Sequence, residues 1–373
     1  MTVPQGAFQL ARYPQRKRET LRAWDAADEY ILNHLHEEGL LRDGNSLLIL
    51  NDGFGALSVA LADYRPQMMS DSYLSHRGVV ANLEKNERAS VSVCLLNSLQ
   101  PPSDACDVVL IKIPRHLSLL EDQLHRIRRC LNPDTRIIGA GMARGIHTST
   151  LDLFERIIGP TRTSLARKKA RLIFSEPDPA IDPGEFPYPT YYTLENTEYR
   201  LSNPAGVFSR EKLDNGTRLL LEHIPGSDRR QKIIDLGCGN GVIGIVAAER
   251  NPAAELTFVD ESFLAVAAAE TNFRAAFGDK RPAVFRVTDC LSGIRDGSAD
   301  LILINPPFHQ GRAVGDAVAW QMFFESKSAL KQGGALMVVG NRHLGYHTKL
   351  KRLFGNCRTL SGNKKFVVIK SVK

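Results

Sequence analysis

The sequence predicts an α/β chain built from two tandem doubly wound domains, the second intact and the first eroded. Three observations carry this. Apolar strand-like runs alternate with helix-like segments in both halves, the pattern of mostly parallel sheets. Residues 233–236 run into Gly237-Cys238-Gly239-Asn240-Gly241, and residues 46–50 run into Asn51-Asp52-Gly53-Phe54-Gly55, so each half holds a glycine-spaced turn after a strand. Between the halves, residues 177–189 carry five prolines in thirteen positions, which sustain neither helix nor central strand. The expected organisation is a degenerate domain over 1–174, a Pro-rich linker over 175–190 and a working domain over 191–373.

Taken in order, residues 21–40 place Leu21, Trp24, Ala27, Ile31, Leu32 and Leu35 at helical spacing, with Gly39 and Gly44 as stop signals. Residues 46–50 read as a buried strand and 75–86 as a helix. Strands follow at 91–95 and at 106–113, the latter ending on Pro114. After the linker, 191–194 and 199–201 read as a hairpin, and 212–222 as a helix feeding the strand at 233–236. Then come a helix at 241–249, a strand at 255–260, a helix at 262–277 and strands at 284–288 and 299–304. Matching the halves by glycine runs sets Asn51–Gly55 against 235–239, Asp71 against Asp260, and Lys112-Ile113-Pro114-Arg115 against Asn305-Pro306-Pro307-Phe308. On this reading the first copy has lost a loop glycine to Leu57 and its clamp to Lys112.

The bulk numbers exclude several classes. No apolar run reaches the ~20 residues of a membrane helix, and the N-terminus lacks the apolar core of a signal peptide, so the expectation is a cytoplasmic protein. Six cysteines without a C-x-x-C pair argue against a zinc ribbon and a disulfide framework; no metal is expected. A formal charge of +7 suits an anionic partner such as nucleic acid.

Two motifs carry chemistry. The first is Asp235-Leu236-Gly237-Cys238-Gly239-Asn240-Gly241. Its glycines permit positive φ and close backbone approach to a ligand. The acid at the strand end disfavours a pyrophosphate and suits a cation such as S-adenosylmethionine. Asp260 and Glu261 follow the next strand, where a carboxylate can accept from ribose hydroxyls. Asp289 and Cys290 follow the third, beside a position for an adenine amino group. The second motif is Asn305-Pro306-Pro307-Phe308. An exocyclic amine on a base is a poor nucleophile because its lone pair is delocalised. The Asn305 side-chain oxygen and the Pro306 carbonyl can accept its two hydrogens and favour a tetrahedral nitrogen. Pro307 would stiffen the turn and Phe308 would stack on the base. Phe208 and Ser209 precede the 212–222 helix, Phe208 as a pocket wall and Ser209 as its cap. Arg167, Lys168, Lys169, Arg171 and Arg342 are candidates for phosphate contact, as are Lys364 and Lys365.

These motifs, with the closing Asn341-Arg342-His343-Leu344, resemble the RNA guanine-N2 methyltransferases of bacterial ribosomes. The resemblance extends over nearly the full chain, including residues 23–30, 48–58, 134–141 and 145–151, and is nearest to the large-subunit branch. It implies two Rossmann-like class I S-adenosylmethionine-dependent methyltransferase domains, the first degenerate and RNA-binding. It also implies methylation of a guanine of 23S rRNA, and a monomer. By position it implies Asp235, Gly237, Gly239, Asp260 and Asp289 as cofactor residues and residues 305–308 as the base clamp. Two alternatives stay open: a protein glutamine N5-methyltransferase, whose amide poses the same chemical problem, and a non-catalytic rRNA-binding assembly factor.

Overall fold

A computed structural model describes residues 1–15, 19–307 and 312–373, the last without the side chains of 312–314. The chain divides into two compact units, Met1–Tyr188 and Pro189–Lys373. Unit 1 holds strands β1 (Leu47–Leu50), β2 (Gln67–Ser70), β3 (Cys94–Asn97), β4 (Cys106–Lys112), β5 (Leu131–Met142), β6 (Thr161–Thr163) and β7 (Ala170–Ser175). Its helices are α1 (Ala26–Glu37), α2 (Ala56–Ala60), α3 (Tyr73–Lys85), α4 (Leu117–Ile127) and α5 (Thr148–Ile157). Unit 2 holds β8 (Lys232–Leu236), β9 (Glu255–Asp260), β10 (Ala283–Val287), β11 (Ala299–Ile304), β12 (Leu330–Asn341), β13 (Arg358–Gly362) and β14 (Phe366–Val372). Its helices are α6 (Asn215–Leu221), α7 (Val242–Arg250), α8 (Phe263–Phe277), α9 (Arg312–Ala329) and α10 (Tyr346–Phe354).

The two sheets share one topology, β3-β2-β1-β4-β5-β7-β6 and β10-β9-β8-β11-β12-β14-β13. Five neighbouring strands of each run parallel; β7 or β14 then runs antiparallel to β5 or β12, and the edge strand β6 or β13 runs antiparallel to it in turn. Helices cover both faces, so the central strands are apolar throughout rather than alternating. In β8, Ile233 enters one core while Ile234 and Leu236 enter the other. In β1, Leu47 and Ile49 face one core and Leu48 and Leu50 the other. The strand order reverses between β1 and β4 and between β8 and β11, the crevice where doubly wound sheets bind ligands.

Caps fix several boundaries that periodicity misses. The first helix starts at Ala26, not Leu21, because Asp25 caps it in a reciprocal box with Asp28. The helix expected from 212 starts at Asn215, capped by Asp214. Ser209 is therefore not the cap; its hydroxyl donates to the Lys212 carbonyl. The proline-rich stretch folds onto unit 1: Asp178 N donates to Ile158 O at 2.9 Å, Arg128 to Ile181 O at 2.9 Å, and the Tyr188 hydroxyl to Glu121 at 2.6 Å.

Sheet register corrects the matching of the halves. Leu50 pairs with Met69 and Ile111, as Leu236 pairs with Val259 and Ile304. Asn51–Gly55 thus corresponds to 237–241, two residues beyond the glycine-run match. Asp235 corresponds to Ile49, and Ser70 rather than Asp71 corresponds to Asp260. The caps agree: Gly55 and Gly241 precede α2 and α7, and Ser72 and Ser262 cap α3 and α8. The last loop glycine is kept, so Leu57 replaces no glycine. It is kept because φ is +85° at Gly55 and +83° at Gly241, and a Cβ would sit 3.0 Å from Val79 Cα or 2.9 Å from Ala269 Cα. The pairing of Lys112 with Asn305 holds, each being one residue past Ile111 or Ile304.

Candidate active site

The glycine loop leaves β8 and the Asn305 clamp leaves β11, neighbouring parallel strands. Their register sets Gly237 and Asn305 side by side at the carboxyl edge. Gly237 takes φ +74° and Gly239 φ +54°, and a Cβ on Gly239 would meet nothing within 4 Å. The loop's backbone is thus open where a ligand must approach closely.

The loop is held from three sides. Gly239 N donates to Asp260 Oδ2 at 3.0 Å, and Ser262 N to Asp260 Oδ1 at 3.0 Å. Asn240 Nδ2 donates to the Tyr192 hydroxyl at 3.0 Å and to Asn203 Oδ1 at 2.8 Å, both on the hairpin Thr190–Thr193/Arg200–Asn203. Asn272 of α8 donates to Asn240 O at 2.9 Å. Asp235 is fully buried beneath the loop, where its Oδ2 accepts from Gly244 N at 2.8 Å and its Oδ1 has no partner. Burial pushes its carboxyl up to about 8, against the Gly244 N–H and reinforced by Asp260. The structure places Asp235 as a brace under α7 rather than as an exposed lining group. Burial also raises Asp260, opposed by the backbone N–H groups of Gly239, Ser262 and Glu261.

Asp289 lies just past β10, partly exposed. Its Oδ1 accepts from Gln321 Nε2 at 3.0 Å, and the same amide reaches Glu325 Oε1 at 2.8 Å. Glu325 in turn accepts from Leu291 N at 2.8 Å. Burial, then Glu325 and Asp289, hold the Cys290 thiol far above its ordinary range. Burial, then Asp260 and Asp235, do the same for Cys238. Burial therefore disfavours the thiolate at both. Gln321, Glu325, Asn203, Tyr192 and Asn272 were absent from the sequence reading. No local pattern marks them, since each acts across more than 30 positions or on a neighbouring helix.

The clamp is oriented from α6. Asn305 Nδ2 donates to Thr217 Oγ1 at 2.8 Å and lies 3.5 Å from Asp214 Oδ2. Thr217 Oγ1 lies 3.4 Å from the same carboxylate, which also accepts from Thr217 N at 2.9 Å. A carboxylate accepts only, so it fixes which end of the amide faces it. The other end, Oδ1, is buried and has no hydrogen-bond partner among the described residues. A buried acceptor left unmade costs about 1–3 kcal/mol, so such an atom calls for a donor. Pro306 is buried and Pro307 half-buried beside it; Phe308 lies outside the described residues.

The remaining candidates lie elsewhere. Phe208 is half exposed in a turn held through Thr190 Oγ1 to Arg210 O at 3.3 Å. Arg167 and Lys168 sit at the β6–β7 tip of unit 1, paired with Glu37 at 3.2 Å and Glu29 at 2.8 Å. Lys169 is exposed there, and Arg171 is half-buried in β7. Arg342 follows β12 and donates to Asn363 O at 2.5 Å. A groove of about 630 Å³ lined by Lys232, Ile234, Thr257, Val284, Arg286 and Arg295 opens at the amino ends of β8–β10, the opposite edge from this site. Among the described residues no His, Cys, Asp and Glu group could hold a metal, and no helix is long and apolar enough to cross a membrane.

Comparison with known proteins agrees with this division. Residues 1–179 match the RLMG N-terminal domain, and 198–370 the methyltransferase small domain. The ribosomal RNA large subunit methyltransferase G of Streptomyces griseus is 50% identical, covering 100% of this chain and 99% of its own. The protein of the same name from Yersinia enterocolitica is 50% identical over 98% of this chain and 92% of its own. The chain belongs to the ribosomal RNA large subunit methyltransferase G family. Its fold is also that of the Thermus thermophilus 16S rRNA N2 methyltransferase solved with AdoMet and guanosine, at TM-score 0.74 and 22% identity over 94% of this chain and 92% of that one. Two Rossmann-like domains in tandem are thus an architecture shared along the whole chain.

Proposed function

We propose that this chain transfers a methyl group from S-adenosylmethionine to the exocyclic N2 of a guanine in large-subunit 23S ribosomal RNA, giving N2-methylguanosine. The observation that carries the reading is the Asn305 amide, oriented by Thr217 and Asp214 with its buried Oδ1 unspent beside an open glycine loop. The names of the relatives at 50% identity support the same substrate class.

The residues fit the cofactor. The open backbone at Gly239 can meet a ligand closely, Gly237 takes the positive φ that brings the loop there, and Asn240 and Gly241 hold that loop in place. Asp260 and Glu261 offer acceptors for ribose hydroxyls, and Asp289 with Cys290 borders the place for an adenine amine. When bound, S-adenosylmethionine would supply a methyl group on a sulfonium for in-line displacement, with the neutral thioether as leaving group and one proton of the methylated amine lost to solvent. The chain's own part is positioning. Asn305 Oδ1 accepts one hydrogen of the guanine amine and the Pro306 carbonyl the other, which turns the nitrogen lone pair outward. Pro307 limits the freedom of the turn, and Phe308 is the candidate base stack. Preorganised acceptors of this kind act most strongly in a dry site. The guanine must be unpaired or flipped out, because N2 is otherwise engaged in the duplex.

Unit 2 is the catalytic domain, and unit 1 contributes recognition of the folded RNA, in a cytoplasmic monomer. The test is to map modified guanines in 23S rRNA from cells lacking this chain, complemented with the native or the Asn305→Ala form. One guanine should lose its N2-methyl group and regain it only with the native chain. An unchanged modification map would overturn the reading. Methylation of a protein glutamine by the purified chain would replace it.

A further inference from the structure

The chain's excess of positive over negative charge is confined to one segment. Residues 326–373 hold 11 Lys and Arg and no Asp or Glu, whereas residues 1–325 hold 37 against 41. Unit 1 is balanced, with 23 of each sign over residues 1–188. The +7 of the whole chain therefore comes from the end of α9, β12, α10, β13, β14 and their turns.

Two of the eleven are paired with a carboxylate, and two more have their ammonium groups held by backbone carbonyls. Lys331 pairs with Asp300 at 2.7 Å and Lys349 with Asp316. Lys327 donates to Leu353 O, and Lys373 to Ser328 O and Leu330 O. The other seven, Arg342, Lys351, Arg352, Arg358, Lys364, Lys365 and Lys370, have no carboxylate within 4 Å among the described residues. Three of them meet at one place. Arg342 N donates to Lys365 O at 3.0 Å, Arg342 Nε reaches Asn363 O at 2.5 Å, and Lys364 lies between. This turn closes β12 and opens β14, with Asn341 paired to Phe366. It stands at the carboxyl edge of the sheet. Phe366 packs against Gly216, whose Cβ would lie 3.1 Å from its ring, and Gly216 precedes the Thr217 that orients Asn305.

The geometry points to a phosphate-docking rim formed by Arg342, Lys364 and Lys365, which holds the RNA strand flanking the target guanine beside the clamp. The inference rests on RNA being the substrate. A polyanion is the occupant that an unopposed run of cations recognises, and each neutralised phosphate releases counterions. The basic hairpin of unit 1 is a poorer anchor, because Arg167 and Lys168 are already answered by Glu37 and Glu29. Unit 1 would read shape while the rim of unit 2 supplies the electrostatic hold.

The experiment measures affinity of the full chain for a 23S rRNA fragment against salt concentration, with cofactor affinity and methyl transfer in parallel. Three variants are compared with the native chain: Arg342→Ala/Lys364→Ala/Lys365→Ala, the milder Lys364→Gln/Lys365→Gln, which spares the Arg342 contact to Asn363, and the unit 1 control Lys168→Ala/Lys169→Ala/Arg171→Ala. The rim triple should weaken RNA binding roughly tenfold and flatten the log–log salt slope by about 2, at about 0.7 per lost contact to a single strand. The double should flatten it by about 1.4 on the same basis. Cofactor affinity should not change. Loss in the unit 1 control with none in the rim variants would overturn the rim and leave the RNA substrate standing. A native chain that neither binds nor methylates rRNA would overturn both.

Discussion

Unit 1 and unit 2 build the same socket and fill it differently. In unit 2 the residue past β11 is Asn305, held by Asp214 and Thr217 at the start of α6. In unit 1 the residue past β4 is Lys112, held by Asp25 at 2.9 Å and Asp28 at 2.6 Å at the start of α1. Asp25 corresponds to Asp214 and Asp28 to Thr217, counted from the two caps. The loops differ in the same sense. Asp52, at the place of Cys238, accepts from the N–H groups of Gly55, Ala56, Leu57 and Ser58 and from the Ser58 hydroxyl. Asn51 and Gln123 pair reciprocally at 2.8 and 2.7 Å across the same edge. In unit 1 the side chains at the places of Gly237, Cys238 and Asn305 are all paired within the protein. The comparison teaches that one framework carries two fillings: in unit 1 the socket is a closed ion cluster, while Asn82 and Asn272, which hold Phe54 O and Asn240 O, are the same in both.

Changes on the two sides should therefore fail in different currencies. The largest effect is expected from Asn305→Ala, which removes the acceptor. Its kcat should fall by about 10²–10³-fold or more, with cofactor affinity from a binding titration unchanged; retained turnover would refute the clamp. Next comes Lys112→Ala, which strands Asp28 without its cation. Denaturant unfolding should show a loss of about 3–5 kcal/mol, while kcat per folded molecule stays near native. A smaller effect is expected from Thr217→Val, which leaves the amide less firmly oriented. Its kcat should drop about tenfold, worth ~1.4 kcal/mol, with little change in KM, and Thr217→Ser should restore it. A pH effect at Asp235 is read in stability rather than turnover. Native Asp235 keeps its proton to about 8, whereas an unfolded carboxyl releases it near 3.8. The native state thus binds more protons between those values, and its stability declines as pH rises through that window. Asp235→Asn should make the fall in Tm from pH 5 to pH 8 shallower. An unaltered slope would show that Asp235 titrates normally.

The architecture was legible because strand-ending motifs mark themselves. The glycine turn after β8, Asp260 after β9, Asp289 after β10 and Asn305 after β11 each follow an apolar run. The register between the halves was not. Asn51-Asp52-Gly53-Phe54-Gly55 looks like the counterpart of Asp235–Gly239, yet Gly55 caps its helix as Gly241 does, and only the strand pairing reveals this. The socket was illegible for another reason. Thr217 and Asn305 are 88 positions apart, and nothing local ties a threonine in a helix's first turn to an amide after a distant strand. Asp235 shows a third limit. Its type and place imply a charged ligand contact, while full burial makes it a brace.

The central claim is that the unspent Asn305 oxygen separates a working socket from a closed one. Transplanting unit 1's pair into unit 2, as Asn305→Lys with Thr217→Asp, tests it most directly. Cofactor affinity and methyl transfer to a 23S rRNA fragment are measured on the same folded sample. The account predicts native-like cofactor binding and no detectable transfer. Methyl transfer within tenfold of native would contradict it.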